Sequence, residues 1–270
     1  MTDSLFDLTD RVIVVTGGLG QLGRQYARAL LARGAKVALV ENGDSPSALK
    51  DAFPGIGSDR LVLLKADVTR RNELDRALAE LHKGWGAPHG LVNNAAIDSP
   101  PNAPVSENGP FEEFPESSWD KVMEVNVKGV MLCCQVFGGA MASAGRGSII
   151  NIGSIYGVVS PDQSLYEYRR AKGEQFFKPV AYSASKSAVY NLTRYLATYW
   201  APHVRVNTLT LAGVFNNQDT PFLEAYQRRM PMGRMANADE YNGAVVFLLS
   251  DASSYMTGSE LRLDGGWTAW

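Results

Sequence analysis

The chain has 270 residues, 45% of them hydrophobic and 20% charged, and a formal net charge of −2. That length suits one large α/β domain with ample core to bury. The near-neutral charge excludes the dense basic face that sequence-independent nucleic-acid binding needs. No apolar run approaches the roughly 18–20 residues that span a bilayer. Met1-Thr2-Asp3-Ser4 lacks the basic-then-apolar pattern of a secretory leader, so a soluble, cytoplasmic protein is expected. The two cysteines, Cys133 and Cys134, are adjacent and read as small core residues rather than a disulfide. His82, His89 and His203 show no ligand spacing, so no metal site is expected.

Along the chain, short β-rich runs alternate with longer amphipathic stretches. Strands are predicted at Val12–Thr16, Lys36–Glu41, Leu61–Ala66, Gly90–Ala95, Ser148–Gly153, Val204–Leu209 and Glu260–Asp264. Helices are predicted near 22–33, 70–83, 118–145, 181–200 and 237–250. The run Val12-Ile13-Val14-Val15 is continuously apolar, as a strand covered on both faces should be. The alternation predicts a single α/β domain over 1–270, a Rossmann-type doubly wound parallel sheet with helices on both faces. Two irregular segments interrupt it, near 98–115 and 160–180. Each follows a strand at the edge where ligands bind in such sheets, so both are expected to wall a substrate site.

The first strand runs into Thr16-Gly17-Gly18-Leu19-Gly20-Gln21-Leu22-Gly23 and then a helix. Glycines there let backbone N–H groups approach a pyrophosphate, and the helix N-terminus adds partial positive charge. Gly17, Gly20, Gln21, Leu22 and Gly23 are therefore candidate cofactor contacts. Glu41 closes the second strand, where a carboxylate can accept hydrogen bonds from an adenosine ribose and would repel a 2′-phosphate. NAD is expected over NADP. Asp67 and Val68 after the third strand, and Asn94 and Ala95 at the end of the fourth, are placed to line the same ligand.

Tyr182 and Lys186 lie at i and i+4 at the start of an apolar helix, on one face of it. A neighbouring ammonium favours phenolate and is expected to lower the tyrosine pKa toward general acid/base work. Ser154, after the fifth strand, is placed to hold a reacting oxygen beside Tyr182. Asn126 is a polar residue within an otherwise apolar helical run.

These residues, with Arg205-Val206-Asn207 and Asp264-Gly265-Gly266-Trp267, make the chain resemble the short-chain dehydrogenase/reductase family from Val12 to Trp267. The resemblance implies that Tyr182 is the proton donor or acceptor and that Lys186 binds the nicotinamide ribose. It implies that Ser154 orients the substrate oxygen, that Asn126 holds a water linking Lys186 to solvent, and that Val214 lies by the carboxamide. It also implies a homotetramer or homodimer packed through the helices near 118–145 and 181–200, with Tyr190, Tyr195, Tyr199 and Trp200 available to the interface.

Gln21 stands where single-domain members carry a glycine, and Gly17, Gly20 and Gly23 instead match the branch that works on nucleotide sugars. Ala96, Leu211-Ala212 and Asn216 also depart from the usual pattern. The segment from Ser154 to Tyr182 is longer than usual and carries Arg169, Arg170, Lys172 and Lys178 against Asp162, Glu167 and Glu174. A net positive lid would suit an anionic sugar derivative. Short stretches at 154–159 and 215–218 are similar to oxidoreductases of flagellin modification and surface-sugar biosynthesis. The leading expectation is an NAD-dependent oxidoreductase acting on a polar, sugar-like substrate. The alternatives are a family member acting on a small polyol, hydroxy acid or cyclic alcohol, an NAD-retaining epimerase or dehydratase, and a non-catalytic cofactor-binding scaffold.

Overall fold

The computed structural model describes residues 4–43, 46–98 and 105–270. Seven parallel strands form one sheet: β1 (Val12–Thr16), β2 (Lys36–Glu41), β3 (Leu61–Lys65), β4 (Gly90–Asn93), β5 (Gly147–Ser154), β6 (Val204–Leu211) and β7 (Glu260–Leu263). Their order is β3-β2-β1-β4-β5-β6-β7, so the winding reverses between β1 and β4 and opens a crevice at their C-terminal ends. All five residues of β1 are buried, which is why that run carries no polar alternation.

Helices cover both faces. On one side α1 (Gln21–Ala32) packs through Tyr26 and Leu30 in the same cluster as Val245 and Leu249 of a C-terminal helix (Asn242–Leu249). On the other side lie a helix at Arg71–Trp85, a long helix at Glu116–Ser143 and a third at Val180–Trp200. They bury Leu74, Phe137, Met141 and Leu196 against the sheet. With a short helix at Pro46–Ala52 and another at Thr220–Arg229, the helices are, in chain order, α1 (21–32), α2 (46–52), α3 (71–85), α4 (116–143), α5 (180–200), α6 (220–229) and α7 (242–249).

By length and composition α4 could cross a membrane; here its apolar side, including Cys133 and Cys134, is buried against the sheet. Two of its segments, Glu124–Gly129 and Cys134–Gly138, are wound as wide π turns. The first contains Asn126 and turns that side chain fully inward.

The predicted strands agree with the structure to within two residues at each end. The helices α2 and α6 were not predicted from the sequence. α6 is short, and its main apolar signal is the row Phe222, Tyr226, Met230 at four-residue intervals, running just past its end, with Leu223 and Ala225 beside it. That row joins Ile155, Leu165, Tyr166, Met235 and Trp267 in a third apolar cluster beyond the sheet. The 160–180 insertion therefore packs onto α6 as an ordered wall. In the other insertion, residues 99–104 lie outside the described residues, and 105–115 carry short helical turns around Val105–Asn108 and Phe111–Glu113.

Candidate active site

The glycine turn occupies the crevice at the end of β1. Gly17 sits at φ +61°, a conformation that disfavours a side chain. A Cβ on Gly23 would lie 2.2 Å from the Gly17 carbonyl, and one on Gly18 would lie 2.6 Å from the Leu39 side chain. Asn94 Nδ2 donates to the carbonyls of Thr16 and Gly17, both at 3.0 Å, and Ala95 packs against Gly17. At Gly20, α1 begins with no side-chain cap, so its first amides are not capped by a side chain. A cradle too tight for side chains, opening on an uncapped helix N-terminus, fits a pyrophosphate.

Gln21 points away from this cradle: its Nε2 donates to the Phe215 carbonyl at 2.8 Å, bridging to the loop after β6. Glu41 is half-buried, and its Oε1 accepts from Leu19 N–H at 2.5 Å. Burial raises its pKa, opposed by that bond and by the nearby Arg24 guanidinium. Arg24 is itself held by the Leu19 carbonyl at 2.6 Å. Asp67 turns one oxygen back onto Thr69 N–H and Oγ1, both at 2.8 Å, and Val68 packs toward Gly129 of α4. Neither residue lines the catalytic cavity described next.

That cavity, about 310 Å3, opens at the ends of β4, β5 and β6 and is lined by Leu22, Asn94, Ser154, Tyr182, Lys186 and Val214, among others. Pro179 precedes α5, so Tyr182 falls in the first turn and Lys186 one turn on, both facing inward. The Lys186 ammonium donates to the Ile152 carbonyl at 2.8 Å and lies 5.8 Å from the centre of the Tyr182 ring. Burial brings the Lys186 pKa down to about 8, with the Asp98 carboxylate opposing. The Ser154 hydroxyl is within hydrogen-bonding reach of the Tyr182 phenol.

The expected lowering of the Tyr182 pKa is not what the protein groups produce. Burial raises it, the Asp98 carboxylate raises it further, and the Ser154 hydrogen bond only partly offsets them. Desolvation of the phenolate outweighs an ammonium that points at a backbone carbonyl.

Asn126 stands behind this group. Its Oδ1 accepts from Ile97 N–H at 2.9 Å, while its Nδ2 donates to the Ile97 carbonyl at 2.8 Å and to Ser185 Oγ at 3.0 Å. Ser185 Oγ in turn donates to the Tyr182 carbonyl at 2.7 Å. Asn126 thus joins α4, the root of the first insertion and the first turn of α5, which carries Tyr182.

The far wall consists of Asp98, Tyr156, Tyr166, Lys178, Tyr226 and Met235; Asp98, Tyr166 and Lys178 come from the two segments expected to wall the site, while Tyr226 and Met235 were not singled out from the sequence. The tyrosines carried no spacing signal, because they converge from three separate segments. The insertion keeps the small excess of cations expected of it, and most of those cations are engaged. Arg169 pairs with Glu174 at 2.6 Å and lies over the Phe176 ring, while Arg170 donates to the carbonyls of Phe176 and Gln163. Lys178 is ion-paired with Asp98, and Asp162 with Arg229 at 2.6 Å. Asp98, from outside the insertion, pairs with Lys178, whereas Asp162 of the insertion is taken up by Arg229 from outside it.

Among the four aromatics considered for an interface, Tyr190 belongs to the core and donates to the Ser154 carbonyl at 2.9 Å. Tyr195 and Tyr199 are 63% and 68% exposed and stacked, with ring centres 6.0 Å apart. Among the described residues, no group of three or more potential metal ligands is gathered.

Over residues 20–268 the chain matches the protein family described as Enoyl-(Acyl carrier protein) reductase. It is 32% identical to the NAD-dependent glycerol dehydrogenase of Listeria innocua, covering 98% of this chain and 97% of that one. It is 34% identical to the galactitol 2-dehydrogenase of Rhizobium johnstonii, covering 98% of both chains. The crystal structure of a gluconate 5-dehydrogenase from Burkholderia cenocepacia, in complex with NADP and tartrate, superposes with a TM-score of 0.84 at 27% identity, covering 99% of this chain and 98% of that one. With the parallel sheet, the glycine turn and the Ser154, Tyr182, Lys186 group in one crevice, these matches establish that the chain belongs to the short-chain dehydrogenase/reductase family and is an oxidoreductase.

Proposed function

We propose that the chain is an NAD-dependent oxidoreductase that interconverts a secondary alcohol and a ketone on a small polyhydroxylated substrate. The observation that carries this reading is the convergence of the Tyr182 phenol, Ser154 hydroxyl and Lys186 ammonium in one cavity beside the uncapped glycine turn. Gly17, Gly20, Leu22, Gly23, Glu41, Asn94, Ala95 and Val214 would hold the dinucleotide, with Asp67 and Val68 toward its adenine end. The nicotinamide, when bound, supplies or accepts the hydride.

The chain's own groups manage the proton. Ser154 Oγ holds the reacting oxygen, and Tyr182 Oη gives it a proton in reduction or takes one in oxidation. Lys186, fixed by the Ile152 carbonyl, keeps a cation beside the phenol and has further N–H groups for the ribose. Asn126 holds the catalytic turn in place through Ser185, and a water beside it would complete a path from Lys186 to solvent.

Size favours a small substrate over a nucleotide sugar. A cavity of about 310 Å3 is at the low end for small-molecule sites, and the nicotinamide must share it. The glycerol and galactitol dehydrogenases named above point the same way. The similarity to surface-sugar enzymes rests on short stretches alone. Glu41 supports NAD, because its carboxylate closes the position a 2′-phosphate would need. The exposed Tyr195–Tyr199 stack on α5 supports assembly into a dimer or tetramer through that helix.

Tyr182→Phe tests the proton role. Turnover should fall about 10²–10⁴-fold, with NADH affinity, followed by fluorescence titration, little changed. Undiminished turnover would refute the assignment.

A further inference from the structure

The cavity has a charged end that the proton chemistry does not use. Asp98, at the root of the first insertion, and Lys178, at the end of the second, both line it and are ion-paired with each other. Lys178 is held by its surroundings, whereas the Asp98 side chain is 52% exposed and is positioned through its backbone neighbour. The Lys178 side chain is only 13% exposed. Its backbone N–H donates to Gln163 Oε1 at 2.9 Å, and its carbonyl accepts from Gln163 Nε2 at 3.4 Å. Ile97, immediately before Asp98, is gripped at both N–H and carbonyl by Asn126.

The Lys178 ammonium stands 5.3 Å from the centre of the Tyr182 ring. The pair therefore shares the cavity with the phenol and can meet other hydroxyls of a substrate whose reacting carbon sits at Tyr182. The other charged group on the cavity wall is Lys186, which is held by Ile152. Besides Asn94, Ser154 and Gln218, whose amide is engaged by Val214 and Asn216, the remaining wall is largely phenolic and apolar, with Tyr156, Tyr166, Phe222, Tyr226 and Met235.

We propose that Asp98 and Lys178 form a specificity clamp for the hydroxyls of a neutral polyol, and that the same pair rejects sugar acids. This rests on the alcohol chemistry assigned to Tyr182 and names its substrate class. A carboxylate only accepts hydrogen bonds and an ammonium only donates them, whereas a hydroxyl does both. Vicinal hydroxyls can each donate to Asp98 and accept from Lys178, so that no charge is left without a partner. A carboxylate substrate would satisfy Lys178 but place a second anion against Asp98 in a partly dry cavity. A hydrocarbon alcohol would leave the pair closed and gain nothing from it.

The test is NAD-linked kcat/KM for glycerol, galactitol, cyclohexanol and gluconate in wild type, Lys178→Met and Asp98→Asn, with NADH affinity measured in all three. Wild type should prefer at least one of the two polyols to both cyclohexanol and gluconate. In Lys178→Met the ratio of polyol to cyclohexanol kcat/KM should fall about tenfold, mainly through KM, as expected for one lost charged hydrogen bond. In Asp98→Asn the ratio of gluconate to polyol should rise about tenfold as the repelling charge disappears.

A loss shared equally by polyol and cyclohexanol would make the pair a structural tie and overturn the clamp. Preference of wild type for gluconate over both polyols would do the same. Turnover of cyclohexanol with no polyol preference sinks the clamp alone. NADH binding with no turnover of any of the four alcohols sinks both the clamp and the reading on which it rests.

Discussion

The glycine turn makes a steric prediction that separates two neighbouring positions. In Gly23→Ala the new methyl would lie 2.2 Å from the Gly17 carbonyl oxygen and 2.7 Å from Gly18 Cα. Both are backbone atoms, so no side-chain rotation relieves the contact. Restoring ordinary van der Waals separation requires the turn to move by about 1 Å, and small-to-large insertions of this kind cost about 1–3 kcal/mol. A displacement on that scale can also cost about 10²-fold where geometry matters. Gly23→Ala should therefore lower Tm by several degrees and weaken NADH binding about 10²-fold in a fluorescence titration. Gly20→Ala is the internal control: its methyl would meet only the Gly17 carbonyl, at 3.2 Å, and its φ of −70° suits any residue. It should bind NADH within a few-fold of wild type. Wild-type affinity in Gly23→Ala would refute the placement of the dinucleotide on this turn. Equal damage from both substitutions would show that crowding is not the reason the glycine is needed.

Glu41→Ser removes the carboxylate proposed to close the 2′-phosphate position while Arg24 stays nearby; NADPH affinity relative to NADH should rise about tenfold, and an unchanged ratio would show that Glu41 does not select the cofactor. Lys186, with its pKa brought down to about 8 by burial, loses its proton in the folded chain before it does in the unfolded one, whose ordinary lysine pKa is 10.5. The unfolded state then binds more protons between those values, so this residue should add stability as pH rises from 8 toward 10. Thermal melts of wild type and Lys186→Met should show that rise in the wild type only. Replacing Tyr195 and Tyr199 together by Glu puts two charges into the exposed stack on α5 and should shift sedimentation toward a smaller species. An unchanged sedimentation profile would place the assembly contact elsewhere.

Local patterns made most of the frame legible. A continuously apolar strand such as β1, a glycine turn between strand and helix, and a tyrosine and lysine one turn apart are each written within about ten residues. Their sheet positions follow from the regular alternation. What the sequence did not disclose depends on residues far apart meeting in space. Asp98 and Lys178 are separated by 80 positions. The cations of the second insertion can be counted from the sequence, but their engagement by Asp98, Glu174 and backbone carbonyls cannot. Asn126 was recognised as out of place in an apolar helix, but its grip on Ile97 requires the π turn that rotates it inward.

The tyrosine pKa shows the same limit at the level of energetics. Spacing correctly put an ammonium beside Tyr182, and from that alone a lowered pKa follows. The cavity that brings the two together also strips them of water, and for the phenol the desolvation dominates. Lys186 is subject to the same penalty, in the opposite direction for its own pKa, and aims its ammonium at the Ile152 carbonyl. With protein groups alone, Tyr182 is therefore held as a neutral acid, ready to donate to a ketone oxygen with Ser154 beside it. Its use as a base in alcohol oxidation requires additional positive charge in the cavity, and an oxidised nicotinamide ring is a cation. Asp98, whose carboxylate raises the pKa of both the phenol and Lys186, holds both groups toward their protonated forms. Lys178 is already ion-paired with Asp98, so in the proposed clamp a polyol's hydroxyls would add to the groups drawing on that carboxylate, and the residues proposed to choose the substrate would also bear on the proton step.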